Sequence, residues 1–435
     1  MTAPASSMVC SACGAEVHAP DEAPFRCPNA GAGGDLDHLL EKHLAPGPRV
    51  FADAREEHPY LRHRELSHIY CAAREAGLDD GEWRDVVLEL DGAVRTLDGR
   101  SLVRTPLVRH EVLSAELGVE LWTKDETVQP SGSHKVRHLF GIALWLRAFE
   151  RLGLLPQGGE QHLAIASCGN AALAAALVAR ALEHPLEVFV PTQVRPGILS
   201  RMGELGARIT SCPRGDGEQG DPCLHAFRAA LEHGALPFTV QGSENALAID
   251  AGASLGYELV ESLEGQPLDH LFVQTGGGAL ATAIWTGFGE ARQLGVRTAP
   301  LPRLHPVQTQ GARPLERAWK TFHARVAKHG LEAALEHAAH HRSEYMRPWE
   351  DEPRSVAWGI LDDETYDWRA LCEAMERGGG SPLAVSEERL LEARALANEG
   401  REGAPIDAPG AAGLAGLLEA LESGLVASGE RVAVL

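Results

Sequence analysis

An α/β fold with a largely parallel sheet is what the sequence predicts from about residue 100 onward, and three features predict it. Apolar runs of strand length alternate with Ala- and Leu-rich stretches at helical spacing, the pattern left by crossovers between parallel strands. Two strand-to-helix junctions carry short polar or glycine-rich loops, Ser167-Cys-Gly-Asn170 and Thr275-Gly-Gly-Gly-Ala-Leu280. With 44% hydrophobic residues in a chain of 435, there is material for substantial cores and for two or three domains.

In chain order, residues 1 to about 45 form a Gly-, Pro- and Cys-rich head with Cys10-Ser-Ala-Cys13, Cys27-Pro-Asn-Ala30 and Asp35-Leu-Asp-His38. It resembles half a zinc ribbon or more. A second CxxC would need a cysteine where Ala30 stands, so the fourth tetrahedral ligand is either His38 or missing. A Cys3His zinc site (Cys10, Cys13, Cys27, His38) and a metal-free knuckle both fit. Leu121-Trp-Thr123 reads as a short strand, and Ser131-Gly-Ser133 as a turn. From Val136 to Leu152 a helix is predicted by Leu139, Ile142, Ala143, Leu146 and Phe149. A strand (162–166), the Ser167–Asn170 loop, a helix (171–183), a strand (186–191), a helix from about 196 to 206 and a strand (208–210) then make a βαβαβ unit.

Residues 212–222 read as a polar loop, 226–233 as a helix, 238–240 as a strand and 251–263 as a helix. A buried strand (268–274) empties into the glycine triplet, and a helix follows. Residues 314–340 carry one long helical pattern whose histidines show no metal-ligand spacing, and 343–368, rich in Trp, Tyr, Pro and acids, form a surface or interface excursion. A helix near 411–421 precedes a strand at 431–435.

Forty basic against 61 acidic side chains leave a net charge of −21, which disfavours nucleic acid or an anionic membrane as partner and favours a small soluble substrate. No apolar run reaches the roughly 18–20 residues of a membrane span. The N-terminus lacks a secretory layout, so a cytoplasmic protein is expected. Eight cysteines are too sparse for a disulfide scaffold.

Three elements carry chemistry. Lys135 follows a small-residue turn that lets backbone approach a ligand, and a desolvated lysine attacks carbonyls. The alternative is a solvated surface charge. Ser167 and Asn170 offer short directional polar groups at a helix start, with an ordinary helix cap as the alternative. Gly276-Gly-Gly278 can present successive N–H groups to a phosphate; it is neither a Walker loop nor GxGxxG, and a tight turn is its alternative. Glu126 is either an acid/base group or a structural carboxylate.

Together, Lys-x-Glu-x-x-x-Pro-Ser-Gly-Ser-x-Lys ending at Lys135, Ser-x-Gly-Asn ending at Asn170, and Gly276-Gly-Gly-Ala-Leu280 resemble the motifs of the fold type II pyridoxal-phosphate-dependent enzymes, the tryptophan synthase β-like family. The cysteine-containing head, Leu61-Arg-His-Arg64 and Thr105-Pro-Leu107 are similar to the threonine synthase and serine-threonine dehydratase branch. His134 and Val136 depart from it, standing where threonine synthases usually have Phe and Asp. The resemblance implies two three-layer open parallel-sheet domains with the cofactor in the cleft between them. Residues 46–435 would be the catalytic region, with a smaller subdomain at about 140–240, behind the 1–45 head. It implies pyridoxal 5'-phosphate on Lys135 as a Schiff base, with Asn170, Gly276, Gly277, Gly278, Ala279 and Leu280 binding the cofactor. Ser131, Ser133, Ser167, Cys168 and Gly169 would bind substrate. The expected activity is an amino-acid lyase or a β- or γ-replacement enzyme, working as a homodimer on a small amino acid; a non-catalytic cofactor-binding protein of the same fold is the alternative.

Overall fold

The apolar runs pair into two mostly parallel sheets, and a small antiparallel sheet forms near the N-terminus. The structure, a computed structural model, describes residues 4–18, 23–31, 34–156, 161–215, 220–350 and 353–435. Its contacts divide the chain into two units. One comprises Met1–Gly34, His38–Arg104 and Val128–Ser254; the other comprises Asp35–Asp37, Thr105–Thr127 and Leu255–Leu435.

In the first unit, four parallel strands lie in the order Arg208–Ser211, Leu186–Val190, Leu163–Ala166 and Leu236–Pro237. The last of these replaces the strand expected at 238–240. Past it, Phe238 N–H still donates to Ala164 O (2.8 Å), while the Pro237 carbonyl accepts the Asn245 side-chain amide (2.6 Å). Of the expected 212–222 loop, residues 216–219 lie outside the described residues. The following helix starts early, at Pro222, because Asp221 caps it by accepting from Cys223 N–H (2.8 Å).

The helix Lys135–Arg151 is buried over nearly its whole length, among Asp80–Asp98 and Asn170–Leu182. Alanines fill the last of these, and their small side chains permit close packing. Gly141 has the same use: a Cβ there would sit 2.2 Å from that of Ala251, so only glycine lets the helix Leu247–Ser262 cross so closely. At the N-terminus, Ser6–Cys10 pairs antiparallel with Glu16–Val17 and with Leu40–Leu44. That sheet is tied inward by an ion pair with almost no solvent access, Lys42 Nζ to Asp250 (2.7 Å). Burial raises the Asp250 carboxyl, but Lys42 outweighs it and holds the group below its ordinary value.

The second unit is built on six strands in the order Leu383–Val385, Arg303–Thr309, His270–Gln274, Arg431–Val434, Glu120–Lys124 and Leu107–Arg109. All pairs are parallel except the last. The C-terminal strand therefore sits in mid-sheet. Its core includes Phe272, Val307 and the helix Ala408–Glu422, where the missing side chain of Gly416 makes room for Val307. The single helix expected over 314–340 is two, Pro314–His329 and Leu331–His340, broken at Gly330 with φ 81°. Histidines given no ligand spacing do converge there: His337, His341 and Glu344 place ligand atoms within 4.8 Å of one another. Among the described residues no helix is long and apolar enough to cross a membrane.

Candidate active site

Lys135 is the first residue of its helix, and the turn before it is held from two sides. Gln129 is fully buried and clamps Val103 both ways, its Oε1 accepting from Val103 N–H (3.3 Å) and its Nε2 donating to Val103 O (2.6 Å). Ser131 N–H donates to Asp98 Oδ1 (3.3 Å). Between these anchors Ser131 takes φ 59° and Gly132 φ 78°. A left-handed serine is uncommon and costs on the order of 1 kcal/mol, so the clamp is what maintains it.

Among the described residues, three buried polar atoms of the turn find no hydrogen-bond partner: Ser131 Oγ, Ser133 Oγ and His134 Nε2. Each such atom costs about 1–3 kcal/mol unless something satisfies it, and three of them flank one lysine. Burial, followed by the nearby Lys135 charge, pushes the His134 imidazole well below its usual range, so it is neutral. His138, one turn on, is brought down to about 3 by the same two causes. Its Nδ1–H donates to Ala248 O (2.7 Å), which fixes the ring.

The structure packs the Pro130–Gly132 turn against the helix Asn170–Leu182. Asn170 is not the cap of that helix. Gly169 takes the cap position with φ −130° and ψ −144° and no side-chain hydrogen bond, while Asn170 begins the helical residues. Ser167 Oγ accepts from Gly169 N–H (3.4 Å) rather than from the helix. The ordinary-cap explanation thus accounts for neither side chain.

The glycine loop lies in the second unit, after the mid-sheet strand His270–Gln274. Residues 360–371 of that unit back it. Thr365 Oγ1 donates to Gly276 O (3.1 Å) and Asp367 N–H to Gly277 O (3.1 Å). A Cβ on Gly276 would meet Asp362 Oδ2 at 2.2 Å, one on Gly277 would meet Tyr366 at 2.6 Å, and Gly278 has φ 105°. The absent side chains are thus a packing requirement as well as an opening. Carbonyls are tied back, yet no acceptor among the described residues takes the N–H groups of Gly276, Gly277 or Gly278. Ala279 and Leu280 open the helix Ala279–Gln293, whose first N–H groups are likewise without intrahelical partners. Such a loop suits a phosphate held by backbone dipoles.

Glu126 is a structural carboxylate: it accepts the Thr105 hydroxyl. Thr105 in turn donates its N–H to Glu258 (3.1 Å), which pairs with the buried Lys124 (2.7 Å). Sequence reasoning missed this network; a Thr-Pro ahead of a strand with an internal-facing lysine was its only trace. Leu61-Arg-His-Arg64 is also structural, with Arg64 bridging Asp53 (3.2 Å) and Asp80 (2.9 Å). Cys10, Cys13, Cys27 and His38 do come together in the first unit.

The chain is similar to several known proteins. The chain is 28% identical over 331 residues to the threonine synthase of Bacillus sp. (strain ULM1), covering 75% of this chain and 80% of that one. It is 26% identical over 376 residues to the threonine synthase of Mycobacterium tuberculosis (strain ATCC 25618 / H37Rv), covering 86% and 88%. The fold matches the processed form of threonine deaminase isoform 2 from Solanum lycopersicum at TM-score 0.56 and 19% identity, over 82% of this chain and 84% of that one. Maize serine racemase matches at TM-score 0.56 and 17% identity, over 79% and 91%. The sequence profile of the family described as "Pyridoxal-phosphate dependent enzyme" spans residues 100–435, and the lysine turn, asparagine loop and glycine loop all fall inside it, so the chain belongs to that family.

Proposed function

We propose that this protein is an amino-acid lyase or a β- or γ-replacement enzyme, threonine-synthase-like or dehydratase-like, with Lys135 as the residue that holds the cofactor's aldehyde carbon and moves the proton. The observation that carries this reading is the trio of buried, partnerless polar atoms at Ser131, Ser133 and His134 beside a lysine at a helix N-terminus. Pyridoxal phosphate supplies an electron sink for charge developing at the substrate α-carbon.

Lys135, the first residue of its helix, would be the group that accepts the α-proton. The hydroxyls of Ser131 and Ser133, with Ser167, Cys168 and Gly169 at the neighbouring helix start, would grip the substrate carboxylate through O–H and N–H donors. Asn170 would direct its amide at the ring oxygen, and the N–H groups of Gly276 to Leu280 would take the phosphate.

Relatives named threonine synthase support a γ-route, and the threonine deaminase fold is compatible with elimination. His134 and Val136, in place of Phe and Asp, weigh against phosphorylated homoserine. The test is a screen of serine, threonine and O-phosphohomoserine for ammonia, keto-acid or phosphate release. Product from any of them, absent in Lys135→Ala, is the expected result. Inversion of the α-carbon with no leaving group released would replace this reading with a racemase.

A further inference from the structure

We propose that Cys10, Cys13, Cys27 and His38 bind one zinc ion in a closed Cys3His site that braces the helix carrying Lys135. The four ligand atoms lie within 4.8 Å of one another. Cys13 Sγ is 3.6 Å from Cys27 Sγ, and Cys10 Sγ is 3.5 Å from His38 Nδ1. Ligand atoms around tetrahedral zinc are separated by about 3.5–3.8 Å, given Zn–S near 2.3 Å and Zn–N near 2.0–2.1 Å. A disulfide would need about 2.05 Å, so the sulfur pair has the spacing of a tetrahedron's edge and not of a bond.

The backbone is shaped for it. Cys10 to Gly14 closes a turn, Gly14 N–H donating to Cys10 O (2.8 Å) with Gly14 at φ 71°. A second turn runs from Cys27, where Ala30 N–H donates to Cys27 O (3.0 Å). Ala30 occupies the place of a fourth cysteine, and His38 is brought beside Cys10 by its neighbour Leu39, which accepts Ser11 N–H (2.9 Å). Three thiolates and an imidazole favour zinc over hard cations, and four protein ligands mark a structural ion, not a catalytic one.

The brace runs through contacts of the first unit alone. Within the chain between Cys13 and Cys27, Phe25 sets its ring edge-on to Trp145 of the lysine helix (centroids 5.1 Å apart) and accepts Ala246 N–H on its carbonyl (2.9 Å). From the strand after His38, Lys42 reaches Asp250 (2.7 Å). Zinc binding displaces protons from the thiols and involves no redox step.

The test uses the full chain and needs no turnover, so it is independent of the reaction proposed above. Elemental analysis of protein purified under reducing conditions should give about one zinc per chain, and cobalt exchange should give the visible bands of a tetrahedral thiolate site. Cys27→Ser should lose the metal and lower Tm. His38→Cys should retain it with stronger thiolate-to-cobalt absorption, which keeps the proposal testable where Cys27→Ser fails to fold. Background zinc in wild type, or a Cys13–Cys27 disulfide in non-reducing peptide maps, would overturn the site. Metal loss that leaves Tm unchanged would overturn the brace.

Discussion

The lysine turn and the glycine loop solve the same problem, leaving polar groups available to a ligand, by opposite means. At the turn before Lys135 the backbone is clamped by Gln129 and Asp98, while among the described residues Ser131 Oγ, Ser133 Oγ and His134 Nε2 find no hydrogen-bond partner. At Gly276–Gly278 the side chains are gone, their places filled by Asp362, Tyr366 and Thr365, while the backbone N–H groups stay unpaired. A side-chain site can be retuned by substitution one atom at a time. A backbone site cannot, because any Cβ strikes the segment behind it. If the lysine turn grips substrate as proposed, it would be where substrate choice is adjustable, and the glycine loop would be where it is not.

Perturbing each loop should separate the two designs. The largest effect is expected from Lys135→Ala, which removes the proton carrier and should lower kcat by about 10²- to 10⁴-fold while leaving Tm near wild type; steady-state kinetics on whichever amino acid proves active will show it. Next comes Gly276→Ala. With Asp362 Oδ2 only 2.2 Å from the new Cβ, overpacking should cost about 1–3 kcal/mol in urea unfolding. Adding Asp362→Ala should return most of that stability, and if it does not, the backing segment is not what the glycine accommodates.

A pH effect should follow. His138 is held down to about 3, below its ordinary 6.5, by burial and by Lys135. An imidazole depressed in the folded state contributes stability that is complete above the unfolded value and is lost as pH falls toward the folded one. Stability should therefore decline from pH 6.5 toward 3, by up to about 1.4 kcal/mol per pH unit for this group. His138→Gln should make the decline shallower in urea titrations across that range, whereas Gly276→Ala should shift the curve without changing its slope. The smallest stability effect belongs to Ser133→Ala: removing a hydroxyl that pairs with nothing should move unfolding by less than about 0.5 kcal/mol. Cofactor or substrate affinity should nonetheless weaken by roughly threefold to tenfold.

The three candidate loops could be picked out in the sequence because their signals are local. The Ser131-Gly-Ser133 turn, the Ser167–Asn170 loop and the glycine triplet each sit between a strand and a helix whose periodicities are strong. The βαβαβ unit from Leu163 to Ser211 was readable for the same reason. What escaped depends on tertiary partners. Strand Arg303–Thr309 carries Pro306 in mid-sheet, a residue that argues against a strand until the pairing is seen. The backing of the glycine loop by residues 360–371 has no sequence period at all. Gly330 broke a helix whose composition looked continuous, and bringing His337 beside His341 and Glu344 depended on the short helix Arg342–Tyr345 that follows.

The central claim is that Lys135 holds the cofactor. Borohydride reduction of the purified protein reconstituted with pyridoxal phosphate, followed by peptide mapping, tests it most directly. The account predicts one stable adduct, on the peptide containing Lys135, and none in Lys135→Ala. An adduct on another lysine, or no adduct while the cofactor is present in excess, would contradict it.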